Sequence, residues 1–387
     1  MPQNSVSFLG SVRRDRAIAK DWGDGSTVID FRQATASYET WLRECTPVVE
    51  SALRSKHRQM KSDPFLFLRG SYYRWTQIFP AECEIGAEAP TVLASGDLHL
   101  GSFGTWRDQE GRLCWGVDDF DDAYPLPYTN DLIRLATSLK LVIKSESLQV
   151  DFNEGCEAII EGYEESLRTG GCPFVLAERE KNMQRLGIEA IKPADDFWTK
   201  LQSCPSVPTA EVHRDARMAI ADSFPPGVEY KLVRREAGMG SLGQPRFVAI
   251  ADHEGGYIAR EIKFTVPSAS VWNKGQTGRG ERYYDRIIRT AVRSHDPYQK
   301  TTKGWLVRRL SPDSNPVGID DLPSKRDELT LLAAMGKEVA NVHLGSKHRI
   351  KAVLNDLRKQ KSSWLSKAGK RMAKVVVAEW KKYARTT

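Results

Sequence analysis

Apolar positions recur at helical spacing through the first part of the chain. Tyr38, Trp41, Leu42, Cys45, Val48 and Val49 predict one helix from about Phe31 to Met60, ended by Asp63-Pro64. The stretch from Phe65 to Phe79 is apolar and aromatic throughout, while Thr91–Ala94 and Leu113–Val117 are short β-prone runs that each lead into a polar cluster. Helices are expected over Asn130–Lys144, Asn153–Arg168 and Thr209–Ser223, so this half reads as mainly helical. From Tyr230 the period changes to two. Tyr230–Gly238 and Arg246–Phe264 hold alternating runs, the latter around Gly255-Gly256, followed by a helix near Arg282–Arg293 and a strand at Trp305–Leu310. Asp313–Pro323 reads as a linker. Ser324–Leu344 reads as a helix, with Ser324 as N-cap and Asp327 as its capping-box acid.

These elements divide the chain into an N-terminal extension (1–30), a helical lobe (31–229), a β-rich lobe (230–312), a helix returning to the helical lobe (324–345) and a basic C-terminal tail (346–387). With 387 residues, 40% of them hydrophobic and 28% charged, the chain can bury two cores, which excludes a disordered or collagen-like class. No apolar run approaches the roughly 18 residues that span a bilayer, and the first residues lack the apolar core of a secretory signal, so a cytoplasmic location is expected. Six cysteines without a C-x-x-C pair argue for reduced thiols and against a zinc ribbon or a dense disulfide framework.

Charge is unevenly spread. From Ser346 onward thirteen Lys and Arg face only Asp356 and Glu379, a local +11 that leaves −4 on everything before it, out of a total of +7. A solvated basic helix is the plainest reading of the tail; binding to nucleic acid or an anionic membrane is the alternative.

The polar clusters carry the candidate chemistry. In Gly96-Asp97-Leu98-His99-Leu100-Gly101-Ser102-Phe103-Gly104, a carboxylate on a glycine-rich turn at a strand end is exposed, rigidly held and able to accept a hydroxyl proton. The alternative is a turn in which Asp97 bonds only backbone; His99 reads as a packed structural histidine. Further on, Asp118, Asp119, Asp121 and Asp122 place four carboxylates in five positions. They repel unless a cation neutralises them, and hard oxygen ligands of this kind suit Mg²⁺ carried with a nucleotide phosphate. A solvated acidic loop is the competing reading, against which stand Phe120 and the apolar run before it. Asp131 is expected to cap the next helix and to brace the acidic loop through nearby amides. Gly238, Gly240 and Gly243 form G-x-G-x-x-G at the start of a hairpin with no helix after it, which disfavours a dinucleotide site and suits a flap over phosphates. Lys263, on the following strand, is placed to neutralise them.

Together, GDLHLGSFG, DDFDDA and the later Asp131-Leu132-Ile133-Arg134-Leu135-Ala136 resemble the catalytic segment of aminoglycoside-phosphotransferase-like kinases. The whole chain also resembles an uncharacterised bacterial family, a domain of unknown function marked by R-G before GDLHLxNFG, then DFD and a late VGxGSLG segment. Phe67-Leu68-Arg69-Gly70 supplies the R-G element, and the likeness spans roughly Asp63 to Leu344 in scattered blocks.

This resemblance implies an α+β, protein-kinase-like two-lobe fold, with a mainly helical lobe and a smaller antiparallel β lobe. It is circularly permuted, because the glycine flap and its lysine follow the catalytic turn here, and the chain ends lie between the Ser324–Leu344 helix and that turn. It implies ATP and Mg²⁺ as ligands. Asp97 would be the catalytic base and Asp119 the metal-binding aspartate, with Asp121 and Ser102 as further metal ligands. Gly238, Gly240, Ser241 and Gly243 would cover the phosphates and Lys263 would pair with them. Glu281 or Asp285 would be the acidic partner of Lys263, and Trp305–Leu310 would lie beside adenine. Ser102 departs from the family's Asn at that position, which weakens the second metal site. The implied activity is phosphoryl transfer from ATP to a hydroxyl acceptor, in a pocket expected among the helices of Asn153–Ser223. Nucleotidyl transfer, a nucleotide-binding pseudokinase, and an inert scaffold for the basic tail are the alternatives.

Overall fold

A proline decides the first departure from the helical pattern. In the computed structural model, which describes residues 30–145, 148–176, 183, 193–278, 280–314 and 325–385, the expected helix over Phe31–Met60 is two. These are α1 (Phe31–Cys45) and α2 (Glu50–Ser62), parted at Pro47, which has no N–H to give the helical ladder and forces Thr46 before it into an extended conformation. Asp63 then starts α3 (Pro64–Gly70), its carboxylate accepting from the amides of Phe65 at 2.7 Å and Leu66 at 3.0 Å. The aromatic stretch is helical as well, completing α3 and forming α4 (Tyr72–Glu82), with a single turn α5 (Glu84–Ala87) after it. Four short strands follow: β1 (Thr91–Ala94), β2 (Phe103–Arg107), β3 (Leu113–Val117) and β4 (Tyr124–Pro127). Pairing is antiparallel, β1 with β4 and β2 with β3.

The helical unit is completed by α6 (Thr129–Ser145) and α7 (Phe152–Thr169), after which β5 (Phe174–Val175) joins β3. Next come α8 (Ala194–Gln202) and α9 (Arg214–Ala221), then β6 (Lys231–Arg234), β7 (Arg246–His253) and β8 (Gly256–Phe264). Two short helices, α10 (Ala269–Asn273) and α11 (Tyr284–Thr290), precede β9 (Lys300–Thr302) and β10 (Trp305–Leu310). The chain closes with α12 (Lys325–His343), α13 (Ile350–Leu357) and α14 (Trp364–Ala384). The architecture is α+β with antiparallel sheets, the largest being a five-stranded sheet in the order β6-β7-β8-β10-β9. Residues 1–29, positions 315–323 of the expected linker and the proposed N-cap Ser324 lie outside the described residues.

The period of two in β7 and β8 assigns their side chains to faces. Phe247, Ala249, Ala251 and Ile262 pack with Ala216 and Ile220 of α9 on one face. On the other, Val248, Ile250 and Ala259 pack with Leu201 of α8, and the charged residues Arg246, Glu261 and Lys263 continue the same face toward the helical unit. Residues between Phe197 and Phe224, which the sequence places in the helical lobe, thus pack against the sheet. Conversely, Ala269 and Val271 of α10 and Ile287 of α11 join the large core of the helical unit.

Two features of the helical unit bear on the site. First, α7 and α12 touch backbone to backbone: a Cβ on Gly162 would collide with Ala333 O, and one on Gly336 with Ile159 O. Second, the basic tail is part of the core. Leu365, Met372 and Val376 of α14 are buried, and Glu379 forms a two-pronged ion pair with the buried Arg74, at 2.6 and 3.0 Å, while Lys367, Lys370, Lys374, Lys381 and Lys382 face solvent. All six cysteines are free thiols. No helix among the described residues is long and apolar enough to cross a membrane.

Candidate functional site

The Asp97 turn and the acidic loop meet through backbone contacts. Asp118 N–H donates to Ser102 O at 3.1 Å. At Gly96, where φ is +82°, a Cβ would collide with Asp122 O, so only glycine lets the two loops close on each other. The turn is braced from below by Asp131, wholly buried, which accepts from Ser95 N at 2.7 Å, Gly96 N at 3.0 Å and Asn130 Nδ2 at 3.0 Å, with His343 Nε2 of α12 at 3.2 Å. Asp131 thus supports the Asp97 turn, rather than the acidic loop as the sequence suggested.

Asp97 Oδ1 is held by Arg134 of α6, whose Nε donates at 2.9 Å and whose Nη2 donates to the same oxygen. Arg134 is completely buried between the rings of Tyr72 and Trp75 and also donates to Leu68 O at 2.8 Å. Burial raises the Asp97 carboxyl above the usual range and outweighs Arg134, which pulls the other way. Asp97 Oδ2 points toward the glycine loop, 3.4 Å from where a Cβ on Gly240 would stand. Ser102 is employed within the turn: its hydroxyl accepts from His99 N at 3.1 Å and donates to Asp97 O at 3.2 Å.

Lys263, buried on β8, reaches the acidic loop. Its Nζ lies 2.6 Å from Asp121 Oδ2 and 3.6 Å from Asp119 Oδ1. Arg308 of β10 approaches Asp118 at 3.8 Å, and Asp122 accepts from Ala269 N at 2.8 Å. Neutralisation of the four carboxylates is uneven. Burial pushes Asp118 up to about 6 and, with Asp97 nearby, Asp122 up to about 7. Burial and the charge of Asp119 raise Asp121, whereas Lys263 and Arg308 overcome burial at Asp119 and hold it below the usual range.

Behind Lys263, on the same sheet face, Glu261 is wholly buried. It accepts from Arg235 Nη1 at 2.6 Å, Arg246 Nη1 at 2.8 Å and Arg308 Nε at 2.8 Å. Burial would raise this carboxyl, but the three guanidiniums pull it well below the ordinary range. Ser241 Oγ accepts from Arg246 Nη2 at 2.6 Å and so ties the glycine loop to that cluster. The loop is also fastened to α2 of the helical unit: the buried Lys56 donates to Gly240 O at 2.9 Å, and Val49 N–H to Gly243 O at 2.8 Å. Among the described residues, the amides of Gly238, Met239 and Gly240 have no hydrogen-bond acceptor.

A cavity of about 230 Å³ lies among these groups, with Asp97, Asp119, Gly238, Gly240, Lys263 and Arg308 in its walls. A smaller one of about 30 Å³ adjoins it on the side of Tyr38, Asp122 and Gln244. The structure thus brings Asp97, Asp119, Asp121, Gly238, Gly240 and Lys263 together. It does not place Ser102 in the cavity wall, since its hydroxyl closes the turn. Glu281 is exposed and interacts with the Tyr283 hydroxyl, and Asp285 accepts from Thr301. Neither reaches Lys263, whose acidic partners come from the loop at 119–121. Among the described residues, none from 153–223 lines the large cavity.

The fit for Mg²⁺ rests on two carboxylates. Among the described residues no group of three or more His, Cys, Asp or Glu is arranged to hold a metal ion. Asp121 Oδ1, however, is buried without a hydrogen-bond partner, and Asp119 is next to it. Such a pair suits an ion that brings its remaining ligands as water and phosphate oxygens.

Sequence reasoning missed Arg134 as the anchor of Asp97, Lys56 as the loop fastener, and the arginines around Glu261. A signal for the last existed, because Arg308 stands directly opposite Glu261 once β10 and β8 are paired.

Residues 48–184 match the model of a family described as an uncharacterized protein conserved in bacteria (DUF2252). The matched segment holds the Asp97 turn and the acidic loop and stops before the glycine loop and Lys263. No curated protein and no solved structure matches the chain.

Proposed function

We propose that the chain is an ATP-dependent phosphotransferase with a circularly permuted, protein-kinase-like arrangement of its two units. The observation that carries this reading is the meeting of Lys263, from the sheet, with Asp121 and Asp119, from the helical unit, in a cavity where Gly240 overlies Asp97. Phosphoryl transfer asks for positioning and charge neutralisation more than covalent help, and each part is at hand. The free amides of Gly238 to Gly240, with Lys263 and Arg308, would receive the polyphosphate, and Asp119 and Asp121 would hold Mg²⁺. Bound there, the metal would supply positive charge against the phosphate oxygens. Asp97 Oδ2 would take the acceptor's hydroxyl proton while Arg134 fixes Oδ1, and the raised pKa of Asp97 makes it a better base than a solvated aspartate.

Nucleotide binding without turnover is a second reading, favoured by the closure of the Ser102 hydroxyl within its own turn. Thermal unfolding with and without Mg·ATP tests both: a ligand that binds only the folded chain raises Tm, and no shift at millimolar Mg·ATP removes both readings. Incubation with labelled ATP then separates them. Turnover lost by about 10²–10⁴-fold in Asp97→Ala supports the enzyme; binding without turnover supports the second reading. Release of ADP rather than pyrophosphate distinguishes phosphoryl from nucleotidyl transfer.

A further inference from the structure

The helical wall of the cavity carries a cation that, among the described residues, has no ion pair within hydrogen-bonding reach. Arg69, at the end of α3, lines the cavity, and its Nε is buried without a hydrogen bond. Its guanidinium lies over the Phe65 ring, 5.7 Å from the centroid, and His99 packs edge-on against the same ring at 5.9 Å. Arg69 and His99 are neighbours: Arg69 Cζ and His99 Cε1 lie 3.5 and 3.4 Å from the point that a Cβ on Gly101 would occupy. His99 Nδ1 accepts from Gly101 N at 3.1 Å, which assigns the ring proton to Nε2. Among the described residues that Nε2–H has no acceptor, although His99 also lines the cavity. Burial, reinforced by Arg69 and Arg134, holds the imidazole well below its ordinary pKa and thus neutral, a donor at Nε2 and nothing more.

Arg69 Nε, buried without a partner and within electrostatic reach of Asp97, is costly unless a ligand engages it, and His99 offers a second donor on the same aromatic platform. The ligand group must be an anion that accepts hydrogen bonds, a phosphate or a carboxylate. It has two possible sources, the terminal phosphate of the nucleotide or the acceptor itself. The sheet wall already offers Lys263, Arg308 and the free amides to a polyphosphate, whereas Arg69 and His99 stand on the helical side with Asp97. We infer that Arg69 and His99 form an anion subsite for the acceptor, so that the acceptor is a small alcohol bearing a phosphate or carboxylate. The inference rests on the phosphotransferase reading for the role of Asp97, but the subsite can be tested by binding alone.

The full chain, loaded with Mg²⁺ and a nonhydrolysable ATP analogue, is titrated calorimetrically with glycerol 3-phosphate, glycerate and glycerol, and the wild type is compared with Arg69→Met and Arg69→Lys. The same titrations without nucleotide separate failure of the subsite from failure of the nucleotide site. The expected result is binding of at least one anionic probe 10-fold or more tighter than glycerol. Arg69→Met should lose that preference and Arg69→Lys should retain part of it, with affinities for ADP and the ATP analogue unchanged within about 2-fold. Three results overturn the inference: glycerol binding as well as the anions, no anionic probe binding up to about 10 mM, or Arg69→Met weakening the ATP analogue 10-fold while sparing ADP. The last would give Arg69 to the nucleotide's terminal phosphate. Matching unfolding midpoints of wild type and Arg69→Lys exclude misfolding as the cause of a loss.

Discussion

Glu261 and the Asp118–Asp122 loop approach one cavity from its two sides and are neutralised in opposite ways. On the sheet side a single carboxylate is shared by three guanidiniums, so positive charge is in excess and the carboxyl is held well below its usual range. On the helical side four carboxylates share Lys263 and the more distant Arg308, so negative charge is in excess, and Asp118 and Asp122 are pushed up to about 6 and about 7. The Glu261 carboxylate is fully hydrogen-bonded, but its cluster keeps a surplus of positive charge; the acidic loop keeps a surplus of negative charge, and both excesses border the same space. A polyphosphate carrying a divalent cation is the kind of ligand that would complete both at once, which is why the comparison supports the proposed activity.

The same chemical change should therefore have opposite effects on the two sides. Glu261→Gln leaves three buried guanidiniums without their anion and is expected to cost about 3–5 kcal/mol in urea unfolding at pH 7. A change of under about 1 kcal/mol would show that the arginines are neutralised elsewhere and would erase the contrast. Lys263→Met comes next. It removes the cation shared by Asp119 and Asp121, and we expect a loss of about 1–3 kcal/mol at pH 8 that shrinks as the pH falls and the orphaned carboxyls take up protons. The Mg·ATP-dependent rise in Tm should vanish in the same variant. Asp122→Asn is expected to stabilise the chain at pH 8 by about 1–3 kcal/mol, since an amide oxygen still accepts from Ala269 N and no charge is buried.

The smallest effect is in the pH profile, and it sharpens the comparison most. A raised carboxyl binds its proton more tightly in the folded chain, so the stability linked to Asp122 and Asp118 is fullest near pH 4 and declines as pH rises to about 7. Glu261 is the reverse: its stabilisation is present above its unfolded pKa of about 4.3 and fades only well below it. Unfolding free energies between pH 3 and 8 should show a shallower decline above pH 4 in Asp122→Asn than in wild type. Parallel slopes in the two proteins would mean that the loop is relieved by solvent.

Local signals carried much of the fold. The β-prone runs at Thr91–Ala94 and Leu113–Val117 are strands over those same residues, and the alternation in Arg246–Phe264 is a hairpin whose two faces follow its parity. The helix break at Pro47 was equally local and was read through, because the apolar spacing continues across it. Packing partners were less legible. Nothing in the spacing of α8 and α9 distinguishes a helix that covers the sheet from one that joins the helical core. In the site, short-range motifs revealed which residues cluster, as in the Asp97 turn, but not which distant residues hold them. Lys56 and Gly240 are 184 positions apart, and Arg134 meets Asp97 across 37. Such contacts are decided by tertiary closure, which leaves no periodic trace.

The glycine contact between α7 and α12 reaches beyond packing. Gly162 and Gly336 bring main chain against main chain, so the gap between the helices is a ruler whose length no rotamer can adjust. His343 and Glu338 hang from α12, the first beneath Asp131 and the second accepting from Val117 N at the root of the acidic loop. One added methyl at either glycine would push α12 outward and carry His343 and Glu338 with it, so two residues without side chains set the seat of both the Asp97 turn and the acidic loop.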